Sequence, residues 1–184
     1  MALVALLLMI FAIRTFYISS ISMIPTLQIG DVFLADGLEY RLHPPRDGDV
    51  ALFAPPLPAP QTEFIKRVIA VPGDTIRISD GIVYRNGKPL DEPYENEPPN
   101  YDLQIRGYSI YIDGVALDPA RADIPPPSLW QKPDRVPKGF YFVLGDNRNY
   151  SDDSHVWGFA RLASFTGRAF LILWPLTHFS LIHS

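Results

Sequence analysis

The stretch Phe64-Ile65-Lys66-Arg67-Val68-Ile69-Ala70-Val71, closed by Pro72-Gly73-Asp74, decides the fold. It is a run of apolar, mostly β-branched or aromatic residues broken by two adjacent cations, and it stops at a turn signal, so it reads as a strand. Side chains alternate along a strand, which sets Lys66 on the face opposite to Ile65 and Arg67. One of the two charges must therefore point inward or along a sheet edge.

The same punctuation recurs on both sides. Gly30-Asp31 precedes Val32-Phe33-Leu34-Ala35, and Gly48-Asp49 precedes Val50-Ala51-Leu52-Phe53. Ile82-Val83-Tyr84-Arg85, Asn86-Gly87 and Lys88-Pro89-Leu90 carry the two-residue signal of a tight hairpin. Further strands are expected over Tyr108 to Val115, Gly139 to Leu144 and Arg168 to Trp174. No ten-residue stretch after residue 20 has a helical period, so the fold is expected to be mostly β. There is no internal repeat. Prolines number 19 in 184 residues, and Pro55-Pro56, Pro58, Pro60, Pro98-Pro99 and Pro125-Pro126-Pro127 mark loops or sheet edges. Punctuation is densest over 81–137, which is expected to be an inserted, loop-rich β lobe. The core then comprises residues 17–80 and 138–176.

Residues 1–13 are uncharged and mostly apolar. A membrane-spanning helix needs about 20 such residues, a length reached only if Arg14 snorkels and Thr15 to Ile18 extend the run. A cleaved secretory signal is the alternative. It requires a basic start and small residues after the apolar core, whereas Phe16, Tyr17 and Ile18 are bulky. The preferred reading is a membrane anchor over residues 1–16, whole or partial. No charge precedes it to set its orientation.

Composition excludes several classes. Hydrophobic residues make up 47% and charged residues 20%, enough for a folded domain. The net charge is −4, with no basic run longer than Lys66-Arg67, so nucleic acid is not an expected partner. The absence of cysteine rules out disulfides, thiolate nucleophiles and cysteine zinc sites.

A hydrolytic nucleophile would then be Ser or Thr, which needs a base. Of the four histidines, only His155 has attractive neighbours, Asp153 and Ser154, and three consecutive residues do not form a triad. No spacing suits a metal. Lysine remains. A base must be neutral, and a free lysine has a pKa near 10.4, so Lys66 would serve only if burial lowered that value. Otherwise it is an exposed strand lysine.

Five ordered stretches resolve the choice. Ser22-Met23-Ile24-Pro25-Thr26, Gly30-Asp31, Arg46-Asp47-Gly48-Asp49-Val50, Lys66 to Asp74 and Gly145-Asp146-Asn147-Arg148-Asn149-Tyr150-Ser151-Asp152-Asp153-Ser154-His155-Val156-Trp157-Gly158 resemble, in order and spacing, the boxes of type I signal peptidases. The resemblance implies a membrane anchor and an antiparallel β catalytic core whose apolar edge meets the outer face of a bacterial-type plasma membrane. It implies preproteins carrying signal peptides and the lipid bilayer as partners, with no metal and no cofactor.

Residue by residue, the resemblance implies Ser22 as nucleophile and Lys66 as general base. Ser20 would join the Ser22 N–H in an oxyanion hole, Ser151 would orient the lysine, and Asp153, Arg148 and Asp146 would brace the corner. Phe16, Ile18, Phe64 and Ile65 would line shallow pockets that give an Ala-x-Ala preference. Ser20 and Ser151 also suit simple turn caps, and Met23 suits core packing as well as positioning.

The chain departs from the family at three places. His155 stands where arginine is usual, removing a permanent charge; Ser19 replaces a proline and Ala70 a glycine. Two further readings stay open. One is a specialised Ser/Lys processing peptidase of the conjugative-transfer kind; the other is an inactive membrane-anchored binding module.

Overall fold

The computed structural model describes residues 12–56 and 63–183, so the expected anchor up to residue 11 lies outside the described residues. Among the described residues no helix is long and apolar enough to cross a membrane. Ile13–Tyr17, which the sequence reading attached to the anchor, is instead strand β1. Its Ile-Arg-Thr-Phe-Tyr sequence favours extended backbone. It pairs antiparallel with β2 (Val32–Asp36) from Ile13 opposite Asp36 to Tyr17 opposite Val32.

A short helix α1 (Glu39–Leu42) leads to β3 (Val50–Phe53) and β4 (Phe64–Ala70). The chain returns to this sheet with β11 (Phe140–Leu144), the four-residue helix α2 (Ser154–Trp157), β12 (Ala160–Arg161), β13 (Phe165–Trp174) and β14 (Ser180–Leu181). The strand order is β1-β2-β13-β3-β4-β11-β12, with β14 beside β13. Every strand ladder is antiparallel, as the resemblance implied.

The second sheet is built from β5 (Ile76–Ser79), β6 (Ile82–Arg85), β7 (Lys88–Pro89), β8 (Leu103–Arg106), β9 (Ser109–Ile112) and β10 (Val115–Ala116). Its order is β10-β9-β8-β5-β6-β7. The Asn86-Gly87 hairpin forms as expected, with Arg85 opposite Lys88. The single strand expected over Tyr108 to Val115 is a hairpin, because Asp113 and Gly114 both take positive φ and turn the chain back. The division expected at residue 81 falls inside the β5–β6 hairpin, so the second sheet begins five residues earlier, at Ile76.

The first sheet curls. Four strand spacings separate β1 from β4, roughly 19 Å if the sheet were flat, yet Arg14 of β1 makes a bidentate ion pair with Glu63, just before β4, at 2.9 and 3.2 Å. Curling brings the end of β1 over the start of β4. Apolar clusters hold this shape: Ile18, Met23, Leu27, Phe33, Val50 and Ile172 fill the concave side near β1, while Phe53, Val68, Tyr141, Trp157 and Phe165 pack near β12. Each such side chain contributes about 1.5–3 kcal/mol when fully buried. Met23 is 1% exposed in this core, which gives it a packing role. The second sheet packs on β4 and β11 through Ile69, Ile78, Leu103, Ile105, Phe142 and Phe159.

Candidate active site

Strand β4 answers the question its sequence raised in an unexpected way. Both charges are buried, one on each face, because β4 is covered on both sides. Arg67 turns to the back, where its guanidinium makes two 2.8 Å bonds to Asp146 and donates to the Gly48 and His183 carbonyls. Lys66 turns to the front.

The segment after β1 brings the serines to it. Ile18 N–H donates to the Asp31 carbonyl and Gly30 N–H to the Ile18 carbonyl, pinning the chain where it leaves the strand. Met23 and Leu27 then plunge into the core, so Ser22 sits at the top of a tight turn with only 5% exposure. Lys66 Nζ lies 2.6 Å from Ser22 Oγ. Burial holds the Lys66 pKa below the usual lysine value, against the opposing fields of Asp153, Asp152 and Asp146. With the amine neutral, the Ser22 hydroxyl donates to it, which is the starting geometry for proton abstraction.

The remaining expected residues fall into three groups. Ser20 is at the site: its Oγ accepts the Ser22 N–H at 3.2 Å, so the two expected oxyanion donors are neighbours. Ser151 lines the same cleft, and among the described residues its buried Oγ has no hydrogen-bond partner, Lys66 included. Asp153, Asp146 and Arg148 are fully buried behind the cleft. Asp153 accepts from Gly145 N–H and caps α2. Arg148 pairs with Glu92 and Glu95, two residues of the lobe, and burial raises the Glu95 pKa to about 6.

Of the expected pocket residues, Ile18, Phe64 and Ile65 line the cleft. Phe16 does not. Its ring stacks on Phe33 at 5.4 Å and packs against the apolar cluster that also holds Ile18.

The cleft has a volume of about 480 Å³, with Tyr17 to Ser20, Ser22 and Met23 on one wall and Glu63 to Lys66 on the other. Asn149 to Asp152 and His155 close it. Tyr17, Asp152 and His155 had not been expected there. The sequence offers His155 no triad, yet its Nδ1 lies 2.7 Å from Asp153 Oδ1 and its ring stacks on Tyr101. Ser154 Oγ accepts from Val143 N–H instead, so no triad forms.

Both walls carry open backbone. Among the described residues β1 has β2 as its only strand partner, and β11 pairs with β4 no further than Arg67, leaving one side of Phe64 to Lys66 without a partner strand. The cleft is a slot between two strand edges with Ser22 and Lys66 at its end.

Gly145 is indispensable here. A Cβ on it would lie 2.3 Å from Ser151 Oγ and 2.4 Å from the Ser22 carbonyl oxygen. Gly145→Ala is expected to push the nucleophile turn off Lys66, lowering kcat at least about 100-fold and stability by about 1–3 kcal/mol. Peptide cleavage rates and a denaturant melt check both.

A serine hydroxyl 2.6 Å from a buried lysine amine, beside open strand edges, is an arrangement that suits a peptidase site. A family model described as signal peptidase, peptidase S26, matches residues 1–174, and the chain belongs to that family. Curated relatives include proteins named as signal peptidase I. The probable signal peptidase I-1 of Synechocystis sp. is 40% identical over 186 residues, covering 98% of this chain and 81% of that protein. The probable signal peptidase I-2 of the same organism is 40% identical, covering 92% and 69%. Signal peptidase I of Leptolyngbya laminosa is 37% identical, covering 89% and 72%.

Proposed function

We propose that this protein is a membrane-bound serine endopeptidase that removes N-terminal signal peptides from exported preproteins at Ala-x-Ala-like sites. The observation that carries the reading is the 2.6 Å contact between Lys66 Nζ and Ser22 Oγ, both buried at the end of the slot. An extended substrate adds its backbone to the open edges of β1 and β4. Its alternate side chains then face one wall, so the two alanines of Ala-x-Ala meet Ile18, Phe64 and Ile65 together. Large side chains are excluded by fit.

Neutral Lys66 takes the Ser22 proton as Oγ attacks the scissile carbonyl. The oxyanion is received by the Ser22 N–H, drawn off Ser20 Oγ, and by the Ser20 hydroxyl. Lys66 then gives its proton to the leaving amine, the new N-terminus of the mature protein. A water activated by the same amine hydrolyses the acyl ester on Ser22. Ser151 Oγ, without another partner among the described residues, donates or accepts as Lys66 changes charge.

The membrane reading has support in the surface. Tyr17 ends β1, Trp174 ends β13, and both stand opposite Val32 at one end of the sheet. Tyr17, Ile29, Trp174, Leu176 and Phe179 are each more than half exposed around that end, close to the serine segment. An apolar rim of this kind suits the outer face of a plasma membrane, with the apolar N-terminus as anchor and the second sheet, from Ile76 onward, turned to the aqueous side.

The test is cleavage of a preprotein in detergent micelles by the purified protein, read by N-terminal sequencing of the product. Release after the second alanine of Ala-x-Ala is expected, with a loss of about 100-fold or more when leucine replaces that alanine. No cleavage by folded protein, or cleavage indifferent to that leucine, sinks the reading.

A further inference from the structure

The oxyanion donor has to be aimed before substrate arrives, and something must hold it. A peptide unit is planar, and in its trans form C=O and N–H point in opposite directions, so fixing a carbonyl oxygen aims the N–H of the following residue. The Ile21 carbonyl and the Ser22 N–H belong to one such unit. Asn147 Nδ2 donates to the Ile21 carbonyl at 3.1 Å, beside the local Ile24 N–H. The backbone N–H of Asn147 donates to the Ser22 carbonyl, also at 3.1 Å. One residue thus grips both peptide planes flanking the Ser22 Cα, and with them the φ and ψ of the nucleophile. The Ser22 N–H is thereby directed at Ser20 Oγ.

Asn147 is itself held. It is 4% exposed, and its Oδ1 accepts from Asn96 Nδ2 at 3.2 Å, which sets the amide so that Nδ2 faces Ile21. The Asn96 N–H donates to the Asp146 carbonyl, so the grip is anchored in the lobe segment that also supplies Glu92 and Glu95 to Arg148.

We propose that Asn147 is the positioning residue of the oxyanion hole, acting through the Ile21–Ser22 peptide, with Asn96 as its support from the lobe. This inference rests on the assignment of Ser22 as nucleophile and its N–H as oxyanion donor. Asn147 does not line the cleft, so its loss is expected to act on the transition state through the Ser22 backbone rather than on substrate binding.

The experiment uses Asn147→Leu, which removes the amide without adding charge. Its kcat for a signal-peptide substrate is expected to fall about 10- to 100-fold with KM within about twofold, since one donor is misaimed rather than lost. Affinity for a peptide aldehyde, whose adduct with Ser22 places an oxygen in the hole, falls by the same factor. Affinity for the corresponding product peptide is unchanged, and so is the pH midpoint of kcat. Unaltered kcat, or equal losses for aldehyde and product peptide, overturns the proposal. Should Asn147→Leu fail to fold, Asn96→Leu decides: the same split at about 3- to 10-fold supports it, and wild-type kcat rejects it. Ser22→Ala is run alongside, and if that variant still cleaves, the nucleophile assignment has failed rather than the role of Asn147.

Discussion

Lys66→Met is expected to lower kcat by about four orders of magnitude or more, and Ser22→Ala to do the same, while the double variant is no slower than either, because the two side chains work as a unit. The pair separates on stability. Lys66 is buried, and burial is the main cause of its lowered pKa, so the folded protein carries the cost of a desolvated amine. Methionine removes that cost at nearly equal volume and gives up one hydrogen bond, worth about 1 kcal/mol. The variant should therefore be inactive and more stable.

The sign of the pH dependence follows. Between the folded and the ordinary lysine pKa the unfolded chain holds one proton more than the folded one, so wild-type stability rises with pH. The slope ends below the folded value, where both states are charged and the cost is fully present. It ends again above about pH 10.4, where both are neutral. Lys66→Met lacks this slope, and its advantage shrinks as pH rises through the window. Wild-type kcat should climb over the same lower limb as the amine loses its proton. Urea melts and rate profiles at matched pH values test both, and a Lys66→Met protein less stable than wild type at neutral pH would contradict the argument.

Asp146→Ala has the largest expected effect on folding, about 3–5 kcal/mol. The Arg67 guanidinium is 1% exposed and Asp146 is fully buried. Removing the carboxylate leaves an uncompensated cation whose other contacts are the Gly48 and His183 carbonyls, Thr26 and the face of Tyr94 at 3.8 Å. Activity should fall with stability. Arg67 adjoins Lys66, Asp146 adjoins Gly145, and Thr26, which donates to Asp146, lies on the turn that follows Ser22. One network thus ties the three segments that carry the chemistry. Replacing both partners, Arg67→Leu with Asp146→Leu, should restore most of the loss by abolishing the stranded charge. Denaturation midpoints at constant m-value measure it.

Much of this site was legible in the sequence because its segments are local motifs. Ser22 and Lys66 stood out in ordered boxes, and the alternation of β4 correctly separated Lys66 from Arg67. That alternation could not show that both faces of β4 are covered, which is a property of the sheet and not of the strand. The stacking of Phe16 on Phe33 is likewise a property of the sheet, since the two residues meet only once β1 and β2 pair. Ile76-Arg77-Ile78-Ser79 and Leu103-Gln104-Ile105-Arg106 alternate cleanly and form β5 and β8, four-residue runs too short to stand out beside the turn signals that flank them. His155 was dismissed because consecutive side chains diverge. Two residues apart on a capped helical turn, however, Asp153 and His155 converge.

The slot between the strand edges also sets a limit on residence. The open edges are short, Phe64 to Lys66 on β4 and Ile13–Tyr17 on β1, and backbone bonds worth about 1 kcal/mol net each offset little beyond the roughly 4–15 kcal/mol of freedom lost on association. A free peptide is thus a poor guest, and a cleaved one departs quickly. Under the proposed membrane reading, capture depends on a chain already confined to two dimensions beside the slot, and the bilayer would act as co-receptor by raising the local concentration of chain ends that the groove by itself could not retain.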